Sequence, residues 1–201
     1  MNRCKRCKLL IYEVYRAEYC SRCRSYLLSH PKKPPALLEE TTMQATFIQD
    51  GQIVKALEQL FRTAEHEILI LQYQFRAAMR PRPQMMRVIT ALRSAAHRGV
   101  KVTILLNRPD RPRRPGPGHG ALAEFLEHKN IRILHHTRGE ILHVKAACAD
   151  QHLLILGSHN MSQASFSSSR NISVLIEDAQ TVRLFLELAK PLLNGAENGT
   201  R

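Results

Sequence analysis

The sequence predicts an α/β domain preceded by a small cysteine-rich module. Apolar residues at helical spacing alternate with short apolar runs typical of buried strands, from about residue 50 to residue 190. Two CxxC pairs lie within the first 23 residues, and a proline-rich stretch separates them from that alternation. We therefore expect residues 1–29 to form the module, 30–40 a linker, 41–194 the domain and 195–201 a tail.

The module carries the spacing of a zinc ribbon. CKRC and CSRC are separated by twelve residues, and each pair offers two thiolates to a tetrahedral ion. The predicted ligands of one structural zinc ion are Cys4, Cys7, Cys20 and Cys23. Two disulfides or a CxxC redox centre are the alternatives, but neither an oxidising compartment nor a thioredoxin-like pattern is indicated.

The predicted domain begins soon after the linker HPKKPP, whose prolines favour an extended spacer. Its sheet should be mixed and largely parallel, with helices on its faces. The helices are predicted after a cap at Asp50, over Met85–Arg98 up to Gly99, over Ala121–Lys129, and after a cap at Asp178. The strands are predicted over Glu67–Phe75, Val100–Leu106, Ile131–His135 and Ile172–Ile176, together with a hairpin between Gly139 and Gly157.

The chain is strongly basic, with a net charge of +13 and a pI near 10. Residues 1–35 contain nine Lys or Arg against two Glu, so more than half of the excess lies in the module and linker. This balance indicates a polyanionic partner, either nucleic acid or an anionic membrane surface. The alternative is that the positive charge only keeps the chain soluble. No stretch approaches the ~20 apolar residues of a membrane span. We expect a cytoplasmic protein without a stable membrane anchor.

A proline- and glycine-rich loop, NRPDRPRRPGPGHG, follows the strand that ends at Leu106. Loops after sheet strands often carry binding groups, and arginine pairs well with phosphate. A solvated loop without a role is the alternative. The predicted substrate-binding residues are Arg108, Arg111, Arg113 and Arg114, with Arg170 from a later polar connection.

The sharpest feature is the stretch ILHVKAACADQHLLILGSHN, which ends at Asn160. It reads as two buried strands joined by a turn at residues 150–152. His143 and Lys145 are two residues apart, so on an extended segment they project to the same face. The end of the second strand should bring Ser158 and Asn160 to the same place. An imidazole beside cationic and neutral donors suits a phosphate group.

These residues form the pattern HxK-x4-D-x6-GSxN, which resembles the HKD motif of the phospholipase D superfamily. The resemblance extends over roughly Thr46 to Leu193 and implies a phospholipase D-like α/β sandwich that transfers phosphodiesters without a catalytic metal. It implies catalytic roles for His143 as nucleophile or general acid, for Lys145 and Asn160 as ligands of the phosphoryl oxygens, for Ser158 as support of the pocket, and for Asp150 in orienting the basic groups.

That reaction needs two motif histidines, and the chain has one motif. We therefore expect a homodimer in which the two His143 side chains face each other. One departure concerns the usual Asn-x-Glu, whose glutamate would hydrogen-bond the histidine; here Asn171-Ile172-Ser173 places a serine there. Because of this departure, the alternative is that this protein is a member of the superfamily with weak or no catalytic activity.

The residues leave the substrate open. The basic module and the arginine loop favour a metal-independent endonuclease that prefers single strands. A phospholipase D acting on lipid head groups is the second hypothesis, and a non-catalytic nucleic-acid-binding protein is the third. We expect His135 and His136 to be polar surface residues rather than residues of the site. We expect Cys148 to be a small residue of the core.

Overall fold

The protein was analysed as a computed structural model that describes residues 2–3, 10–11, 44–78, 80–107, 119–136 and 141–198. The chain divides into two compact units, Met1–Thr42 and Met43–Arg201. The described part of the first unit consists of strands β1 (Asn2–Arg3) and β2 (Leu10–Ile11), which pair antiparallel. The predicted zinc ligands lie outside the described residues, and the zinc ribbon stays a prediction.

The second unit contains one sheet and five helices within its described residues. In chain order these are β3 (Ala45–Gln49), α1 (Gln52–Thr63), β4 (Glu67–Gln72), α2 (Pro83–His97), β5 (Lys101–Leu106), α3 (His119–Phe125), β6 (Ile131–His136), β7 (Lys145–Ala149), β8 (Leu153–Gly157), α4 (Gln163–Ser167), β9 (Ile172–Ile176), α5 (Ala179–Leu193) and β10 (Ala196–Asn198).

The eight strands are ordered β10-β6-β5-β4-β7-β8-β9-β3. Strands β4, β5 and β6 run parallel, and every other neighbouring pair is antiparallel. The mixed α/β class is confirmed, but the expected predominance of parallel pairing is wrong. The reason is the hairpin of β7 and β8: a tight turn joins only antiparallel neighbours, and this hairpin continues the sheet beside β4.

Helices cover both faces of the sheet, as predicted for an α/β sandwich. The first four helices bury their apolar residues in the larger core, and α5 packs on the opposite face. The helix predicted after Asp50 is present as α1, and Ile53, Leu57, Leu60 and Phe61, which recur at helical spacing, are all buried on one of its faces. These two layers leave the loops at the strand ends free to build a site.

Aspartates shape two element ends, one as predicted and one not. Asp178 caps α5, since its carboxylate accepts a hydrogen bond from the Thr181 amide at 2.6 Å. The predicted Asp50 cap is wrong, because the N-cap of α1 is Gly51 and no side chain caps it. The Asp50 carboxylate instead accepts the Asn171 amide at 2.9 Å and joins the start of α1 to the start of β9.

The end of the chain also differs from expectation. Residues 196–198 form β10, which pairs antiparallel with β6, so this part of the predicted tail is an edge strand rather than frayed chain. Among the described residues, no helix has both the length and the apolar character needed to cross a membrane.

Candidate active site

The site lies where β7 begins and β8 ends. Lys145 starts β7 and is paired with Gln72, the last residue of β4. His143 is two residues earlier and is exposed, whereas the Lys145 side chain is only 9% exposed. The Lys145 ammonium donates a 3.0 Å hydrogen bond to the His143 carbonyl oxygen. The ammonium therefore contacts the backbone of His143, whereas the His143 side chain faces solvent.

A tyrosine absent from the sequence prediction contacts both groups. The rings of Tyr73 and His143 are 4.9 Å apart between centroids and inclined by 56°. The Lys145 ammonium lies 5.2 Å from the centroid of the same tyrosine ring. Tyr73 is held there because its amide donates a 2.9 Å hydrogen bond to the Val144 carbonyl, between the two motif residues.

Polar side chains from three strands line one small cavity beneath this surface. Lys145, Gln72, Asn160 and Ser173 all border it. Gln72 Oε1 and Asn160 Oδ1 are buried, and neither has a hydrogen-bond partner among the described residues. Burial lowers the pKa of the Lys145 ammonium. These unpaired acceptors and the partly desolvated ammonium share a small cavity whose other walls are largely apolar, among them Ile53, Leu57 and Phe166, and an ordered water could pair with them.

Ser158 fixes the end of β8 to the start of β9. Its hydroxyl donates to Asn171 Oδ1 at 3.0 Å and accepts the Ile172 amide at 3.0 Å. These bonds use the only hydrogen of the hydroxyl and one of its lone pairs, and through them Ser158 supports the loop that carries Asn160. The strands approach closely here, since a Cβ on Gly157 would lie 2.4 Å from Ser173 Cα.

Ser173, which stands at the expected glutamate position, is bonded to a histidine other than the motif histidine. Its hydroxyl lies 2.7 Å from His159 Nδ1, and His159 Nε2 lies 2.9 Å from the Asp50 carbonyl oxygen. Burial lowers the pKa of His159, although the Asp50 carbonyl and carboxylate oppose this shift. A neutral His159 then donates from Nε2 to Asp50 and accepts the Ser173 hydroxyl at Nδ1. Ser173 is therefore unavailable to His143.

Asp150 lies at the opposite end of β7, in the turn before β8. Its carboxylate accepts the amides of Glu65, His66 and Glu67 at 2.6, 2.8 and 2.8 Å. It thus organises the chain entering β4, and its contacts give no support to the expected role of orienting the basic groups of the site. Burial on its own would raise the pKa of Asp150, but the three backbone donors outweigh it and lower the pKa.

Replacing Asp150 by alanine should lower the free energy of unfolding by about 2 kcal/mol, because three amides lose a charged acceptor. A carboxyl whose pKa is lowered by folding adds stability at a pH above its unfolded pKa of about 3.9. That stability is lost as the pH falls through the lower folded pKa. Urea unfolding at pH 7 and pH 3 measures both effects. The difference in free energy of unfolding between wild type and variant should be smaller at pH 3 than at pH 7.

The control is Glu187→Ala, which removes an exposed carboxylate paired with Lys190 on α5. A surface pair of this kind contributes little, so the variant should unfold like the wild type. Equal stability of Asp150→Ala and Glu187→Ala at pH 7 would contradict the structural role of Asp150.

Residues 57–192, more than half of the chain, match the family model described as the PLD-like domain of cardiolipin synthase. The chain belongs to the phospholipase D superfamily. Its sequence is 32% identical over 110 residues to cardiolipin synthase B of Escherichia coli (strain K12). That match covers 54% of this chain and 25% of the relative, so the chain matches only a quarter of the relative's length.

Two solved structures share the fold. Nuc from Salmonella typhimurium, a phospholipase D family member, superposes with a TM-score of 0.65 at 20% identity, covering 79% of this chain and 100% of Nuc. TrmBL2, an archaeal chromatin protein whose structure shows a mode of DNA binding, gives a TM-score of 0.54 at 16% identity. That match covers 89% of this chain and 61% of TrmBL2. At these identities the likeness concerns the fold.

The predicted basic residues of this superfamily member are only partly described. Arg108, Arg111, Arg113 and Arg114 lie outside the described residues, and their role stays a prediction. Arg170 is 91% exposed and donates a 2.7 Å hydrogen bond to the Asp50 carboxylate. Its guanidinium is thus presented to solvent beside Asn171, one strand away from the motif hairpin.

Three residues of the site escaped sequence reasoning: Gln72, Tyr73 and His159. The first two lie within the strand predicted over Glu67–Phe75, and only their position beside β7 brings them to the motif. His159 is the variable position of GSxN, where the superfamily pattern gives no signal. Cys148 is buried as predicted, and burial raises the pKa of its thiol to about 12. His136 is buried rather than exposed, because β10 covers its strand.

Within the described residues, no group of three or more His, Cys, Asp or Glu side chains could hold a metal ion. Lys145, Gln72 and Asn160, which the structure does bring together, border one cavity, and the Lys145 ammonium is its cationic donor.

Proposed function

We propose that this protein is a metal-independent endonuclease that cleaves nucleic acid, preferring single strands, through a phosphohistidine on His143. The observation that carries the proposal is that the exposed His143 imidazole and the buried Lys145 ammonium both contact the Tyr73 ring, with Asn160 bordering the same cavity as Lys145. An accessible nucleophile next to a fixed cation and neutral donors is suited to attack on a phosphodiester.

The reaction proceeds in two balanced steps. The His143 imidazole attacks phosphorus and forms a phosphorus–nitrogen bond, while the phosphorus–oxygen bond to the leaving strand breaks. The leaving oxygen takes a proton from His143 of the partner subunit. That second imidazole then accepts a proton from water, which attacks phosphorus and releases the first histidine. Lys145 stabilises the negative charge that develops on the phosphoryl oxygens.

Nucleic acid is favoured by charge around the site. Arg76, Arg80 and Arg82 are exposed in the loop that follows β4. This loop runs beside the end of the motif, because the Arg76 amide donates a 2.9 Å hydrogen bond to the Met161 carbonyl. Exposed arginines next to a phosphate pocket suit contacts with a sugar–phosphate backbone. The net charge of +13 and the DNA binding of the similarly folded TrmBL2 agree with this proposal.

The second histidine requires a second copy of the chain, and an apolar patch beside the site suits that contact. Phe47, Leu156 and Ile172 are 76%, 36% and 61% exposed. Phe47 and Leu156 both lie opposite Val174, so the three side chains share one sheet face. Leu156 and Ile172 adjoin Gly157 and Ser173, at the end of the sheet where the site lies. The patch points to the sheet face opposite to that of Lys145 and Ser173, so a two-fold contact through it would join the two subunits at the end of the sheet that carries the site.

Mixing subunits tests the dimer. Wild-type protein and His143→Ala protein are combined in equal amounts, dissociated in mild denaturant and refolded together. If one active unit needs two intact histidines, about a quarter of the dimers are active after random exchange. If each chain acts alone, half of the wild-type activity per total protein remains. Sedimentation of Ile172→Asp, expected to be monomeric and inactive, provides the second measurement, and an active monomer would overturn the proposal.

A lipid substrate is the second candidate, favoured by the match to cardiolipin synthase B. The test is a substrate panel in EDTA: labelled single-stranded DNA, duplex DNA, RNA, and vesicles of phosphatidylcholine or phosphatidylglycerol. Cleavage of the single strands supports the endonuclease. Release or exchange of lipid head groups without strand cleavage would show that the protein is a lipid enzyme and not an endonuclease. Tight binding of nucleic acid without cleavage would show that it is a nucleic-acid-binding protein, the alternative suggested by the serine at position 173.

The zinc ribbon is proposed on sequence spacing alone. Cys4, Cys7, Cys20 and Cys23 would hold one structural ion that takes no part in the reaction. Metal analysis of the purified full chain should give about one zinc per chain. The substrate panel in EDTA then also shows whether cleavage persists when this ion is removed.

A further inference from the structure

The imidazole of His143 lacks the support that the superfamily motif would give it. Its ring is exposed, and no hydrogen bond to it is formed by any residue that the structure describes. The residue at the glutamate position, Ser173, is buried and bonded to His159 at 2.7 Å. An exposed side chain without a partner samples several rotamers, which slows any reaction that needs one orientation.

Tyr73 is the group in contact with this imidazole. Its ring lies 4.9 Å from the His143 ring between centroids, and the two planes are inclined by 56°. Tilted aromatic pairs at this separation are attractive, and the ring beneath restricts rotation of the ring above. The backbone of Tyr73 is fixed by the end of β4 and by its amide bond to Val144, so the tyrosine is itself well anchored.

The same ring also meets the second motif side chain. The Lys145 ammonium is 5.2 Å from the ring centroid, within the range of a cation–π contact. Lys145 is further held by its hydrogen bond to the His143 carbonyl. One tyrosine ring therefore sets the positions of the nucleophile and of the cation relative to each other.

We propose that Tyr73 is a positioning residue that orients His143 through ring contact, in place of the carboxylate for which position 173 carries a serine. The proposal rests on the proposed role of His143 as nucleophile. Because the aromatic face performs the task, the phenol hydroxyl is not required, and phenylalanine should replace tyrosine. An aliphatic side chain of similar size should fill the space without restricting the imidazole.

Three variants test this: Tyr73→Phe, Tyr73→Leu and Tyr73→Met. Single-strand cleavage by Tyr73→Phe should stay within about twofold of wild type. The two aliphatic variants should lose about tenfold in kcat, because nucleophile orientation is lost, with a smaller rise in KM, because the Lys145 ammonium loses its contact with the ring. Circular dichroism and thermal melting identify a variant that fails to fold, and the two aliphatic side chains give two chances of a folded one.

A second measurement does not depend on activity. Carbon-13 relaxation of the His143 ring reports its order on the ps–ns timescale in the intact chain. The ring should be equally ordered in wild type and Tyr73→Phe, and markedly less ordered in the folded aliphatic variant. If the protein proves inactive on every substrate, this result still tests the role of Tyr73. A His143 ring that stays ordered without the aromatic side chain, or a Tyr73→Phe variant as impaired as Tyr73→Leu, would overturn the proposal.

Discussion

Replacing His143 by alanine should abolish EDTA-resistant cleavage of single-stranded nucleic acid, lowering kcat by about 10³-fold or more. The imidazole is exposed two residues before β7, and within the described part of the chain its ring contact is with Tyr73. Its loss removes the nucleophile and, in the partner subunit, the general acid. The melting temperature should change little, because no buried packing is removed. Initial rates on a labelled oligonucleotide, together with thermal melting, measure both effects.

The matched control is His152→Ala. His152 is also an exposed histidine of the motif hairpin, but it lies in the turn at the far end of β7, with Nδ1 3.1 Å from the Asp150 carbonyl oxygen. Its removal should leave the cleavage rate unchanged. A similar loss of activity in both variants would indicate a general disturbance of the hairpin, and full activity of His143→Ala would refute the proposed mechanism.

Replacing Gly157 by alanine should be the most destabilising single substitution near the site, costing about 3 kcal/mol or more in free energy of unfolding. A Cβ there would lie 2.3 Å from Ser173 Oγ, 2.4 Å from Ser173 Cα and 2.6 Å from the Ile172 carbonyl oxygen. Two of these three atoms are backbone, so strand β9 has to move away from β8. Such a movement would also strain the bonds from Ser158 that support the Asn160 loop.

Urea unfolding of Gly157→Ala and of the double variant Gly157→Ala/Ser173→Gly separates the two sources of the clash. The double variant removes Oγ but keeps the backbone atoms, so it should recover only part of the lost stability. Gly51→Ala is the control, because its Cβ would meet a single backbone oxygen, that of Phe166, at 3.2 Å. Stability of Gly157→Ala equal to that of Gly51→Ala would contradict the close approach of the two strands.

Local patterns in the sequence predicted the elements well. The apolar stripe of α1, the helix α2 and the strand β5 appear close to the predicted positions, because hydrophobic periodicity reports directly which side of an element is buried. The pairing of strands is a long-range property that such periodicity does not report. Strand β7 was expected in a largely parallel sheet, yet it pairs antiparallel with β4.

The chemistry divides in the same way. The sequence alone determined that His143 and Lys145 share one face of an extended segment, and the resemblance of the motif to the superfamily pattern implied phosphodiester chemistry. Only the tertiary structure decided what surrounds them. Asp150 bonds to the amides of residues 65–67, 83 to 85 positions away along the chain, and Ser173 bonds to His159. Tyr73 reaches His143 because β4 pairs with β7, a contact across about seventy residues that no local spacing encodes.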